Sequence, residues 1–209
     1  MSLPIGVLVS GRGSNLEAIL NHIKGGKLDA EVRAVISDRE HAGALKIATE
    51  FGVPGFLIPC VEKKTALVGD AEQQYIQLLQ EKGVELVVLA GFMRILKKPF
   101  LQAFRGRIVN IHPALLPSFQ GLHAQQQAFD YGVKISGCTV HFVDEGVDTG
   151  PIILQEAVPV YDDDTADSLS MRILKHEHEV YSRAIQLYAE GRIEIDGRRV
   201  KIKSGAHEA

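Results

Sequence analysis

IGVLVSGRGSNLEAIL, residues 5–20, runs from an apolar, β-branched stretch through a glycine turn directly into residues of helical period. Residues 5–9 read as a strand, and LEAIL, residues 16–20, follows at once with a helical period. Glycines at 11 and 13 permit the sharp turn between them, so the chain opens with a strand feeding a helix. Such a turn lets backbone N–H groups approach an anion, with the partial positive charge of the helix start behind them. The loop is therefore expected to hold a phosphate monoester through Gly13, Ser14 and Asn15. Other readings compete with that one. A dinucleotide site would want a third glycine where Leu16 stands, although Asp38, just past the second strand, could bind a ribose. A P-loop needs Gly-Lys-Ser/Thr, which is absent, and a plain tight turn would use Ser14 or Asn15 as helix cap.

The alternation then repeats. Apolar runs at 32–36, 55–58, 86–90 and 107–111 read as strands, with helical periods at 15–24, 42–51, 71–82 and, more briefly, 98–104. Strands alternating with helices imply βαβ units and a parallel sheet covered on both faces. Past Gly121 the pattern changes: a helical patch at 123–131 leads to alternating runs at 134–143 and 152–160, read as antiparallel additions. Asp164 or Thr165 is expected to cap a long helix over 166–190, and residues 192–202 to form a hairpin turning at Asp196-Gly197. The tail 204–209 is expected to fray. With no repeat, low-complexity tract or linker, the 209 residues read as a single α/β domain.

Charge and composition exclude several partners. Lysine and arginine number 23 against 26 acids, a net charge of −3, so no broad basic surface is expected to hold a nucleic-acid backbone. No stretch approaches a membrane span, and residues 1–15 lack the basic start and long apolar core of a signal peptide, which points to the cytoplasm. Cys60 and Cys138 are far apart and lack zinc-site spacing, so they read as ordinary thiols in a reducing compartment.

Chemistry concentrates where the fifth strand ends. In RIVNIHPALLPSFQG, residues 107–121, Pro113 and Pro117 stop the strand, and Asn110 and His112 lie two apart at its end. Residues two apart share a strand face, so both can point at one substrate atom; the plainer reading is a structural amide and a satisfied histidine. GCTVHFVDEGVDTGPII, residues 137–153, is an alternating strand followed by an acidic glycine loop. It lacks the ligand spacing and closing glutamate of an EF-hand, while Gly146 and Gly150 bracket Asp148 and can aim one carboxylate. LAGFMRIL, residues 89–96, continues apolar past a strand end, where a flat ligand would lie at the carboxyl edge of a parallel sheet. His176 and His178 diverge around a helix and cannot share a metal, and no G-x-S-x-G elbow appears.

SGRGSNL, LAGFMRIL, NIHPALLP and GCTVHFVDEGVDTGPII, in this order over nearly the whole chain, resemble the folate-dependent formyltransferases, specifically those acting on glycinamide ribonucleotide. The resemblance implies a three-layer, mostly parallel twisted sheet of Rossmann-like formyltransferase type with antiparallel strands in the C-terminal half. It divides the domain into a phosphate-binding half, 1–105, and a catalytic and folate-binding half, 106–203. It implies formyl transfer from 10-formyltetrahydrofolate to the amine of glycinamide ribonucleotide, with Asn110, His112 and Asp148 catalytic, His112 protonated, and no metal. By the same resemblance Glu177 contacts the ribose. The reduced folate lies along the backbone of Met93, Arg94, Ile95 and Leu96, beside Asn110 and the loop Val143, Asp144, Glu145, Gly146 and Val147. A monomer or homodimer is expected. One departure matters: an arginine usual in the family, which adds a cation to the substrate phosphate, is replaced at that register by Val68, leaving Lys63 or Lys64 to supply the charge. Two alternatives stay open: formyl transfer to another phosphorylated amine such as an amino sugar nucleotide, and a non-catalytic folate- or nucleotide-binding module.

Overall fold

The structure, a computed structural model, describes residues 2–204, so most of the tail expected to fray, 205–209, lies outside the described residues. Two compact units meet in sequence between Asn110 and Ile111. In the first, strands and helices alternate: β1 (Leu3–Val9), α1 (Ser14–Lys24), β2 (Ala30–Ser37), α2 (Gly43–Glu50), β3 (Gly55–Leu57), α3 (Gly69–Glu81), β4 (Leu86–Leu89), α4 (Lys98–Ala103) and the start of β5 (Ile108–His112). The strands are parallel, in the order β3-β2-β1-β4-β5. Each therefore ends at one edge, and the direction of winding reverses between β1 and β4. A crevice at the carboxyl ends of such a pair is where an α/β sheet takes its ligand.

Burial explains why these strands were legible. Ile5, Val7, Leu8 and Val9 of β1 and Leu86, Val87 and Val88 of β4 are fully enclosed, as expected of strands covered on both faces. Each such side chain contributes about 1.5–3 kcal/mol by leaving water. Leu16, Ile19 and Leu20 are the buried face of α1. The helix begins at Gly13, in the left-handed region at φ +91°, with no side-chain cap, so neither Ser14 nor Asn15 plays the capping role. A Cβ on Gly13 would lie 2.7 Å from the Ala44 Cα, so the turn admits only glycine by space as well as by φ.

The second unit contains α5 (Ala124–Tyr131), an antiparallel pair β6 (Ile135–Phe142) and β7 (Ile152–Pro159), the long α6 (Ala166–Ala189), and a hairpin of β8 (Ile193–Asp196) and β9 (Arg199–Ile202). Leu169, Ile173, Val180, Tyr181, Ala184 and Ile185 form the buried stripe of α6, which packs on β6 and β7. Thr165 is its cap: its hydroxyl accepts from the Ser168 N–H at 3.1 Å while its own N–H donates to Ser168 Oγ at 2.9 Å. Asp164 instead receives both terminal nitrogens of Arg172, at 2.7 and 2.6 Å, a fork that holds its carboxyl well below the usual range.

Candidate active site

β5 ends in Asn110-Ile111-His112, and strand alternation sends Asn110 and His112 from the same face of the strand. The His112 side chain is only 4% exposed. Its Nε2 lies 2.8 Å from the Phe119 carbonyl oxygen, and its Nδ1 lies 3.3 Å from Asp148 Oδ2. From the other side, His141 Nε2 lies 3.6 Å from Asp148 Oδ1, while His141 Nδ1 faces the Phe142 carbonyl at 2.7 Å. A carbonyl oxygen can only accept, so His112 Nε2 and His141 Nδ1 carry hydrogens. The inner nitrogen of each ring, His112 Nδ1 and His141 Nε2, faces one carboxylate. Asp148 thus lies between two imidazoles, within reach of both.

Burial and charge act in opposite senses on His112 and Asp148. Burial pulls His112 below its ordinary value, and the attraction of Asp148 together with the Phe119 carbonyl opposes this without reversing it. Expected protonated, His112 is instead favoured neutral at pH 7, because removing its charge from water outweighs its partner. Burial pushes Asp148 upward, but the hydrogen bond with His141, the charge of His112 and the Gly121 N–H outweigh it and hold the carboxyl below its usual range. That N–H donates to Asp148 Oδ2 at 2.9 Å.

The loop aims this carboxylate by strain and close contact. Asp148 is at φ +54°, a left-handed conformation that costs an ordinary residue on the order of 1 kcal/mol. Gly150 allows it: a Cβ there would fall 1.8 Å from the Phe142 carbonyl oxygen. Asp144 Oδ1 accepts from the Gly146 N–H at 3.0 Å and Thr149 Oγ1 at 2.6 Å, so this carboxylate is spent on the loop itself. Val143 is half-buried, whereas Glu145, Gly146 and Val147 are exposed. Glu177 is buried on α6 beside Cys138, whose thiol is pushed up to about 12, first by burial and then by the charges of Glu177 and Glu156.

Gly13 leaves the start of α1, at Ser14 and Asn15, without a side-chain cap. An open cleft of about 630 Å³ beside this loop is lined by Ser10, Gly11, Arg12, Arg39 and His41 among others. Lys63 and Lys64 are exposed on the loop between β3 and α3. The loop after β4 is bound to the glycine turn, since Ser10 donates its N–H to Gly91 O at 3.1 Å and accepts the Met93 N–H on Oγ at 2.9 Å. Ile95 spends its N–H on Thr65 O and its carbonyl on the Leu67 N–H, both at 3.0 Å. Alternation then turns the backbone of Arg94 and Leu96 to the opposite edge, where a flat heterocycle can be held. The Arg94 side chain is internal: Nε meets Asp38 Oδ2 at 2.6 Å, and Nη1 donates to the carbonyls of Lys63 and Lys64. Asp38, with a fully enclosed side chain, is thus a guanidinium's partner and not a ribose ligand.

Sequence reasoning misses two participants. His141 lies within the apolar run TVHFV, where a single histidine reads as core, and only the fold brings it to Asp148. The Asp38–Arg94 pair joins residues 56 apart, a product of topology that no local pattern announces.

Among the described residues, no group of three or more His, Cys, Asp or Glu side chains is arranged to hold a metal, and no helix is long and apolar enough to cross a membrane. The sequence pattern described as "Formyl transferase" matches residues 4–185. The chain is 43% identical over 182 residues to the phosphoribosylglycinamide formyltransferase of Bacillus subtilis, covering 86% of this chain and 91% of that protein. It is 47% identical over 189 residues to the trifunctional purine biosynthetic protein adenosine-3 of Drosophila melanogaster, but that match, 90% of this chain, spans only 14% of the longer protein. The crystal structure of glycinamide ribonucleotide transformylase 1 from Symbiobacterium toebii superposes with a TM-score of 0.93 at 49% identity, covering 97% of this chain and 95% of that one. That likeness shows the fold class: a mixed, mostly parallel sheet with flanking helices.

Proposed function

Because the chain belongs to the formyl transferase family, we propose that it is a phosphoribosylglycinamide formyltransferase, moving the formyl group of 10-formyltetrahydrofolate to the primary amine of glycinamide ribonucleotide in purine synthesis. The observation that carries the mechanism is the Asp148 carboxylate set between His112 and His141, with Asn110 two residues from His112 on the same strand.

Transfer needs three things from the protein. The amine must be positioned, so Gly13, Ser14 and Asn15 receive the substrate phosphate, aided by Lys63 or Lys64, and Glu177 the ribose hydroxyls. The donor must lie with its formyl carbon at the end of β5, so the backbone of Met93 to Leu96 and of Val143 to Val147 receives the reduced folate. Charge and protons must then be handled. As the amine forms its bond to the formyl carbon, the carbonyl electron pair moves to oxygen; the Asn110 amide donates to that oxygen, and His112 does so once its Nε2–H turns from the Phe119 carbonyl. The amine's proton passes to the inner face of the cluster, where Asp148 stabilises it, and returns to the folate nitrogen as the carbon–nitrogen bond to folate breaks. His112 starts neutral, so its affinity for the proton rises only when negative charge builds beside it.

The test is absorbance of 10-formyl folate consumption with and without glycinamide ribonucleotide. Amine-dependent consumption is expected. Consumption that ignores the amine would indicate hydrolysis, and consumption driven only by another phosphorylated amine would assign a different acceptor.

A further inference from the structure

The loop carrying Asp148 has a support outside itself, in the β8–β9 hairpin. The family's sequence pattern matches residues 4–185, and the chain continues past it into the β8–β9 hairpin. The base of this hairpin is fixed to the end of α6: Arg192 donates Nε to Lys203 O at 2.8 Å, receives the Lys203 N–H at 2.9 Å, and meets Glu190 Oε2 at 3.1 Å. β9 also packs beside β7. At the opposite end, just past the turn glycine, Arg198 donates Nη1 to the Thr149 carbonyl at 2.6 Å. Thr149 directly follows Asp148 in the chain, and its hydroxyl holds Asp144. One guanidinium thus connects the hairpin to the peptide that follows a left-handed aspartate.

We propose that Arg198 is a positioning residue, through which the C-terminal hairpin braces the loop 144–150 and keeps the Asp148 carboxylate aimed between its two imidazoles. The argument is mechanical. Asp148 is at φ +54°, and a strained conformation persists only where its surroundings over-determine it. Inside the loop, Asp144 and Gly150 supply part of that constraint; the Thr149 carbonyl would otherwise be free to rotate with the peptide that precedes Gly150. A charge-assisted hydrogen bond to this carbonyl stops the rotation and is stronger than a neutral one. Because the same loop is proposed to receive the folate, the brace serves donor binding as well as proton transfer. This inference rests on the proposed formyl transfer for its catalytic consequence, but not for its mechanical one.

Arg198→Ala, Arg198→Lys and the charge-matched control Arg199→Ala separate the possibilities. Loosening a catalytic loop by a fraction of an ångström lowers rates by about tenfold to a hundredfold. Arg198→Ala is expected to lower kcat/KM for the formyl donor by about tenfold, chiefly through KM, with the amine's KM and the thermal midpoint unchanged. Lysine at 198 should restore part of the loss, since one donor to one carbonyl suffices, and Arg199→Ala should behave as wild type. Amide hydrogen exchange over 144–150 in the ligand-free protein should quicken several-fold in Arg198→Ala alone. Unchanged exchange in Arg198→Ala would overturn the brace, as would equal effects of Arg199→Ala. A wild-type protein that transfers no formyl group would refute the assigned activity, and exchange would still decide the brace.

Discussion

Asp38 and Asp148 are both carboxylates withdrawn from water in loops that follow a strand, and the protein uses them in opposite ways. Asp38 has an enclosed side chain and meets a guanidinium at 2.6 Å, a contact whose consequence is structural. It fastens the loop after β4 to the end of β2, and the same guanidinium holds the carbonyls of Lys63 and Lys64. Asp148 is 12% exposed and faces two imidazoles, groups that exchange protons near neutral pH. The partner decides whether a buried acid becomes a fastener or a reagent, and burial alone does not distinguish the two.

The sharpest way to break this comparison is to neutralise each acid in turn. Asp148→Asn keeps the shape and removes the charge between the two imidazoles; general acid–base groups are worth 10²–10⁴-fold, so turnover should fall about 10³-fold, with a smaller loss of stability than Asp38→Asn causes. Near-normal turnover would show that the cluster is structural. Asp38→Asn should do the reverse. Loss of a charged hydrogen bond to a buried guanidinium removes about 2–3 kcal/mol of stability, read from denaturant midpoints, with kcat within a few-fold of wild type. If instead Asp38→Asn abolished turnover without destabilising the protein, Asp38 would belong with the reagents. Between these extremes stands His141→Gln, which keeps a hydrogen-bonding side chain at the outer face of Asp148 but cannot take a proton. Turnover about tenfold below wild type is expected, and an unchanged rate would leave His112 as the sole proton partner.

Which of these roles could be read from sequence follows from what a local pattern encodes. β1 and β4 are continuous apolar runs because both faces of each strand are covered, so their places were plain, as was the glycine turn between β1 and α1. Asn110, His112 and Asp148 stood out because prolines and glycines interrupt regular structure around them. Three things did not stand out. The cap of α1 proved to be the backbone at Gly13, since φ +91° is a property of the turn and not of the polar side chains after it. Asp38 sat where a ribose-binding acid would, but its partner is far along the chain. The neutral preference of His112 depends on how deeply the ring is enclosed, a quantity that emerges only when the elements pack.

The smallest expected effect sharpens the comparison from the side of pH. His112 titrates below 6.5 in the folded protein because burial disfavours its charge. Between that depressed folded value and 6.5, the unfolded chain takes up a proton that the folded one refuses, so stability is full above this window and declines as the pH falls through it. Asp148 acts in the same direction lower down: held below 3.8, it contributes fully above that pH and is lost as the pH falls through its folded value. Unfolding midpoints measured from pH 7 downward should therefore fall in two stages. His112→Gln should flatten the upper stage and keep the lower one, whatever its effect on the midpoint at pH 7, because the slope and not the level reports proton uptake. Asp38→Asn should leave the upper stage intact while lowering the whole curve. A curve for His112→Gln parallel to that of wild type would mean that another group, and not the ring beside Asp148, refuses the proton.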